Sequence, residues 1–341
     1  MGKQRIRNKG ITLIALVITI IVLLILAGVT IATLTGQNGI LTNAKQSKEE
    51  TEKANFQEQV QIEVLSSYQE NSELDFAILK KNLEEKLSLT ITQTDFPIEF
   101  DHDTNHFMIG KNGEVITDQY ITEGLVLHYD AINNTGAGHD DHATIWKDLS
   151  ENGNDGILQD FADGSWQSNA LTFDGIDDWV KISQMDYSAV TLEMVVEFND
   201  IPNDDLSLLS NVESGGYELL IIEKTPCVSV FVDEINSYKV LHTDEQIKLN
   251  QKNYYSGKYD NQKITFLHNG KKDELPQTGN IRTSQNNTIL IIGSNPSGQS
   301  AVKYLSYLHG KVSAVRVYDR ALTDQEMNQN YRVDQVRYPK D

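Results

Sequence analysis

The chain has one cysteine, Cys227, in 341 residues, so no disulfide can form within it. Its core must hold by burial alone, which a domain of about 200 residues can do because the buried fraction rises with size. Cys227 lies in Pro226-Cys-Val-Ser-Val-Phe-Val232, an apolar strand pattern that reads as a buried thiol rather than a reactive one. Basic charge is also scarce: 29 Lys and Arg against 49 Asp and Glu leave a net charge of −20. The deficit is shared, −5 over residues 1–120 and −15 over residues 121–341. Such a surface repels polyanions, which excludes nucleic acid as an expected partner. It suits solubility, or the binding of cations and carbohydrate. A nucleophile elbow, a phosphate-cradling glycine loop and a metal-protease helix are all missing.

Charge is missing altogether between Lys9 and Lys45. Roughly 20 apolar helical residues cross a hydrocarbon core, and Ile11 to Ile31 supplies that length. Lys3, Arg5, Arg7 and Lys9 precede the run, and positive charge there holds the leading end in the cytoplasm. The expectation is a single-pass membrane protein whose C-terminal part lies outside the cell. A signal peptide has a shorter apolar region of about 7–15 residues with a small-residue cleavage site, and Ala27 to Ala32 makes a poor one. No cysteine directly follows the run, so a lipoprotein is excluded. Lys9-Gly-Ile-Thr-Leu-Ile14 resembles the type IV prepilin N-terminus. The resemblance implies cleavage between Gly10 and Ile11, N-methylation of Ile11, and as partners membrane lipid, a prepilin peptidase and other pilin subunits. It departs at Ala15, where the family has the glutamate thought to pair with a neighbouring subunit's amine. That departure leans toward a minor or tip subunit, or a membrane-retained relative.

Beyond the membrane, Phe56, Val60, Val64 and Tyr68 recur every four residues and form one apolar stripe of a continuing helix. A second helix is expected at about Leu74 to Leu87, then short strands at Pro97–Phe100, His106–Ile109 and Glu114–Ile116, the last two joined across Asn112-Gly113. From Gly124 the strands become short and numerous, and helical periods are absent until the end. Regular turn signals such as Asp174-Gly175 and Asn269-Gly270 argue a two-sheet sandwich or jelly roll. In Thr191-Leu-Glu-Met-Val-Val-Glu-Phe198, Leu192, Met194, Val196 and Phe198 share the core face. Thr323 with Glu326 forms a capping box that starts a short helix.

Four stretches then carry a second resemblance: Gly124-Leu-Val-Leu-His-Tyr-Asp-Ala131, Trp146 to Gly156, Leu171-Thr-Phe-Asp-Gly-Ile-Asp-Asp-Trp-Val180 and Gly310 to Glu326. In this order they are similar to the laminin-G-like, concanavalin-A-like jelly rolls of bacterial surface proteins, over about 124–331. The expected fold class is α+β multi-domain: a long N-terminal transmembrane, pilin-like helix with a small antiparallel sheet, then an all-β laminin-G-like jelly roll. The expected domains are a leader at 1–10, a pilin-like helix at 11–70 embedded at about 11–34, a small α/β stalk at 71–120, the jelly roll at 121–334, and a tail at 335–341.

Asp174, Asp177 and Asp178 crowd one turn and Asp130 ends the first strand of the jelly roll, oxygen ligands of the kind calcium takes. Turn aspartates also bond their own backbone. The resemblance implies calcium as the cofactor, since jelly rolls of this class often hold one. Gly138-His-Asp-Asp-His142 has zinc-type ligands without zinc spacing and reads as a solvated loop. Trp146 and Trp179 fall in strand-like motifs and read as core, whereas Trp166, in Asp163-Gly-Ser-Trp-Gln167, is the candidate to stack on a sugar. No catalytic residue is assigned. The enzymatic alternative is a glycoside hydrolase using Glu193 and Glu197, read as lying on the solvent face of one strand. Their Cα atoms are about 13 Å apart at 3.3 Å per residue, far beyond the carboxyl spacing of a retaining pair unless the side chains lean together. Val195 stands where such enzymes carry an aspartate between the two glutamates. The function expected is binding or adhesion at the cell surface, to a glycan or matrix ligand. The structural alternative is a pseudopilin of a secretion or DNA-uptake machine.

Overall fold

A computed structural model describes residues 40–340 apart from 213, 285–288 and 296–305. The chain divides into two compact units, Met1–Thr90 and Ile91–Asp341. In the first, helix α1 (Ile40–Leu65) packs on helix α2 (Phe76–Leu87). The expected stripe is buried at Phe56, Val60 and Val64 against a unit that also buries Leu79 and Leu83. It stops short of Tyr68, which is exposed beyond the helix end. Asp75 caps α2 by accepting the N–H of Ile78, and the Lys86 ammonium reaches Glu63 at 2.6 Å.

The expected α+β plan built on a long transmembrane helix is corrected here. The described residues are mostly β-sandwich with three α-helices, and no described helix is long and apolar enough to cross a membrane. The reason is chemical: α1 carries Lys45, Lys48, Glu49, Glu50, Glu52 and Lys53 on consecutive turns, and burying such charges in hydrocarbon is prohibitive. The apolar run at about 11–34 and the cleavage pair Gly10 and Ile11 lie outside the described residues.

The second unit begins with a three-stranded antiparallel sheet, β1 (Ile98–His102), β2 (Asn105–Ile109) and β3 (Val115–Ile116). The next strands are β4 (Leu125–Asp130), β5 (Ile145–Trp146), β6 (Gly156–Gln159), β7 (Trp166–Gln167), β8 (Ala170–Asp174) and β9 (Trp179–Ile182). They are followed by β10 (Val190–Phe198), β11 (Leu206–Ser210), β12 (Tyr217–Ile222), β13 (Thr225–Val232), β14 (Ser237–His242) and β15 (Lys252–Tyr259). The last are β16 (Lys263–His268), β17 (Lys271–Pro276), β18 (Leu290–Ile292) and β19 (His309–Tyr318), before helix α3 (Asp324–Arg337). One sheet runs β17-β16-β15-β10-β19-β8-β7, with β4 also paired to β19; the other runs β14-β13-β12-β11-β18-β9-β6-β5. Their inner faces form one core that includes Leu192, Met194, Val196 and Phe198 of β10 and Leu219, Val228, Val230 and Ile292 opposite. Alternation on β10 thus runs as the period-2 pattern requires.

The outer face of the first sheet is not solvent-facing. Helix α3 lies over it, burying Tyr318, Leu322 and Met327 in one cluster and Val195, Tyr254, Ala314 and Tyr338 in another. Val333 and Val336 of the same helix pack with Met108 and Ile116 of the small sheet. The capping box starts the helix as expected, with Thr323 and Glu326 exchanging hydrogen bonds. The residues expected as a tail are built in: Tyr338 is buried and donates its hydroxyl to Asp130.

Candidate functional site

The β8–β9 turn starts at Asp174, whose Oδ1 accepts the N–H of Ile176 at 2.7 Å and of Asp177 at 3.4 Å. Gly175 takes φ +79°, and a Cβ there would stand 2.8 Å from the Cβ of His309, so only glycine fits. Asp178 folds back beneath the turn, and its Oδ2 accepts the Asp174 N–H at 2.9 Å. Its other oxygen, Oδ1, is buried and has no hydrogen-bond partner among the described residues. One carboxylate oxygen from each of Asp174, Asp177 and Asp178 lies within 4.8 Å of the others. Burial pushes the Asp178 carboxyl up to about 6, with Asp174, Asp177 and Asp160 as like-charged neighbours adding to it.

Those facts test the fit of calcium. Oxygens around that ion sit 2.3–2.6 Å from it, so two ligands on opposite sides are about 4.8 Å apart. An orphaned buried carboxylate oxygen amid like charges is the kind of group a cation would satisfy. The three residues fit. Asp130, the fourth expected ligand, does not join them. It pairs with Ala314 on β19 whereas Asp174 pairs with His309, five residues and about 16 Å along that strand. Asp130 instead accepts hydrogen bonds from Arg337 Nε at 2.7 Å and from the Tyr338 hydroxyl at 2.6 Å. Burial raises its carboxyl to about 6.

Beside the acidic turn a hollow of 280 Å³ opens between residues 141–144 and 158–166. Leu158, Phe161 and the edge of Trp166 form its apolar part, and Asp141, Asp160 and Asp163 its acidic rim. Phe161 is half-buried, braced edge-on by Phe173 with ring centres 4.9 Å apart. The His142 imidazole meets Asp163 at 2.7 Å across the two loops, and that hydrogen bond raises it above its ordinary value. His139 turns the other way, to Asp141 and the Ala131 carbonyl, so the two histidines of the loop do not converge.

Trp166 is not the loop residue expected. It belongs to β7, is 5 % exposed, donates its indole N–H to the Ala143 carbonyl and packs edge-on against Trp146. At that exposure the ring offers no open face for a sugar to stack on. Trp146 is fully buried and Trp179 half-buried. Phe161 and Asp160 escaped sequence reading, although an aromatic amid acids in Asp160-Phe-Ala-Asp-Gly164 was the available signal.

The enzymatic pair is also corrected. Glu193 lies beneath α3, 2 % exposed, bonded to Arg316 Nε and to the Ser256 hydroxyl, each at 2.8 Å, and to Asn330. Burial raises its carboxyl. Glu197 points to Lys311 at 3.4 Å. A substrate has no access to Glu193, because α3 and its charge partners occupy that face.

Comparison with known proteins agrees with the jelly roll. Residues 173–328 match a laminin-G family model described as the concanavalin A-like lectin/glucanases superfamily. No curated protein matches the chain. Among solved structures, the receptor-binding domain of a botulinum neurotoxin mosaic serotype C/D is similar at 12 % identity and TM-score 0.49, over 64 % of this chain and 52 % of that one. A Trypanosoma rangeli sialidase in complex with sialic acid is similar at 15 % identity and TM-score 0.45, over 62 % of this chain and 33 % of its own. The binding domain of Paraclostridial Mosquitocidal Protein 1 is similar at 15 % identity and TM-score 0.43, over 62 % of this chain and 52 % of that one. The chain thus spans a third to about half of the length of these structures.

Proposed function

We propose that the jelly roll binds a glycan in the hollow between residues 141–144 and 158–166, beside a calcium ion held by Asp174, Asp177 and Asp178. The observation that carries this reading is the buried, unpartnered Oδ1 of Asp178 within a three-carboxylate turn next to an aromatic-floored, acid-rimmed hollow. Bound there, calcium supplies the positive charge that lets the three carboxylates stay ionised together. Phe161 offers an apolar surface to a sugar ring, and Asp141, Asp160 and Asp163 offer acceptors to its hydroxyls. The match of residues 173–328 to a lectin and glucanase superfamily supports the ligand class, although fold by itself assigns no ligand. Binding rather than hydrolysis is favoured, because the one glutamate pair considered for catalysis has its first member bonded beneath α3. The basic leader and apolar run support display of this domain outside the cell, on sequence grounds alone.

The test is a glycan panel probed with the whole protein in calcium and again in chelator. Calcium-dependent binding that Phe161→Ala abolishes is expected. Absence of binding in calcium, or binding untouched by Phe161→Ala, would overturn the assignment.

A further inference from the structure

A second and larger hollow, of 520 Å³, lies in the same unit, walled by residues 92–97, Gly138 and His139, Ser168 and Asn169, and the end of α3. Its size is that of small-molecule sites, which run from about 300 to 1,000 Å³. For a chain of net charge −20 its lining is unexpectedly basic: Lys111, Lys252 and Arg337 against the single carboxylate of Asp95. Arg337 is already neutralised, with Nε on Asp130 and Nη1 on Glu99. Lys252 is not. It is 6 % exposed, and its ammonium donates to the Pro339 carbonyl at 3.2 Å. Among the described residues no carboxylate lies within ion-pair distance of it, and its cross-strand neighbour Glu197 is taken by Lys311.

An ammonium has three donors, so among the described residues two are left without a protein partner. An anion entering the hollow can accept from them and offset the charge. The rest of the lining is of another kind. Thr92, Thr94 and Asn169 present hydroxyl and amide groups, and Phe96 a half-buried ring.

We propose that this hollow binds a carboxylated sugar of the uronic-acid type, with its carboxylate on the Lys252 ammonium and Lys111 at the rim. The hydroxyl and amide lining suits the sugar's hydroxyls, whereas a bare inorganic anion needs neither that lining nor 520 Å³. The site is separate from the acidic turn and draws on residues 92–111, which lie outside the matched 173–328.

The experiment is calorimetric titration of the whole protein with tri-galacturonate in chelator, so that it does not depend on calcium or on the first hollow. The methyl-esterified trimer, with the same rings and no charge, should bind at least about tenfold more weakly, as should Lys252→Gln with the acid. Lys111→Gln, an exposed change that leaves the fold intact, should weaken the acid a few-fold, and added salt should weaken it further. Thermal melting checks that Lys252→Gln folds; if it does not, the ester comparison and Lys111→Gln decide the matter. Equal affinity for acid and ester, no binding of either, or displacement of the trimer by equimolar sulfate would overturn the proposal. A merely structural Lys252 would not distinguish acid from ester.

Discussion

Arg316→Met is the most informative single change, because it isolates what holds α3 to the first sheet. The Arg316 side chain is 1 % exposed and bridges two carboxylates, Glu193 through Nε at 2.8 Å and Asp334 of α3 through Nη2 at 2.5 Å, with Nη1 also on Asp334 at 2.9 Å. The Tyr120 ring covers the guanidinium at 4.1 Å and donates its hydroxyl to Asp334. Methionine keeps roughly the length of the side chain and removes the charge, leaving two carboxylates buried without a cation. Breaking a buried pair in this way costs about 3–5 kcal/mol, mostly the penalty of the stranded charge. For a domain of stability about 5–15 kcal/mol that is a large fraction. The control is Lys311→Met, which removes the partner of Glu197 at a site whose lysine side chain is 30 % exposed, and should cost only about 0–1 kcal/mol. Urea unfolding of both variants reads the difference as a shift in midpoint. Stranded carboxylates take up protons, and Glu193 is already raised by burial, so the folded variant binds more protons than the unfolded chain. Its deficit should therefore shrink toward acid pH and grow as pH rises. A loss under about 1 kcal/mol, or a deficit independent of pH, would refute the claim that this ion network clamps the helix.

Other outcomes follow from the same structure. Asp178 sits at about 6 when folded, raised by burial, against about 3.9 unfolded, so metal-free stability should fall as pH rises from about 4 to about 6, while calcium must displace that proton. A calcium-induced rise in Tm should thus be full near neutral pH and fade below about pH 6, and Asp178→Asn should remove it; a shift unchanged in that variant contradicts the site. Phe198→Ala, at a fully buried core position of β10, should cost about 3–5 kcal/mol in chemical denaturation. Thr323→Ala removes the hydroxyl that accepts the Glu326 N–H and should lower stability by about 1 kcal/mol, measured in the same way. Gly257→Ala places a Cβ 2.8 Å from Val228 across the core and should lower Tm, whereas a neutral effect would mean the two sheets can part there.

Much of the sandwich was legible because its strands carry local signals. The alternation of β10, the apolar runs of β12 and β13, the turn at Asn112-Gly113 and the box at Thr323 and Glu326 each act within a few residues. β15 was not legible, although it lies at the centre of the first sheet beside β10. Its sequence, Lys-Asn-Tyr-Tyr-Ser-Gly-Lys-Tyr, reads as polar. Those polar groups are buried by residues far along the chain: Ser256 bonds to Glu193, and Lys258 to Asp324 and the Leu322 carbonyl. The acidic turn was visible as a cluster of aspartates, but the missing partner of Asp178 Oδ1 was not, since it depends on how β8, β9 and their neighbours close over it.

The amino-acid sequence by itself determined the two-sheet character of residues 121–334, the inward face of each strongly patterned strand, the absence of disulfides and the acidic surface. These follow from composition and from periodicities of two, which act along the chain. Tertiary structure alone decided which polar residues are available to a ligand. The outer face of β10 looked solvated until α3 covered it, turning a candidate catalytic glutamate into the partner of a buried arginine. It also took Trp166 into the core and carried Asp130 about 16 Å from the aspartate turn. Lys252, an ordinary lysine in sequence, became a buried side chain with no carboxylate partner among the described residues. Accessibility and charge pairing are sums over distant segments, and no local pattern encodes them.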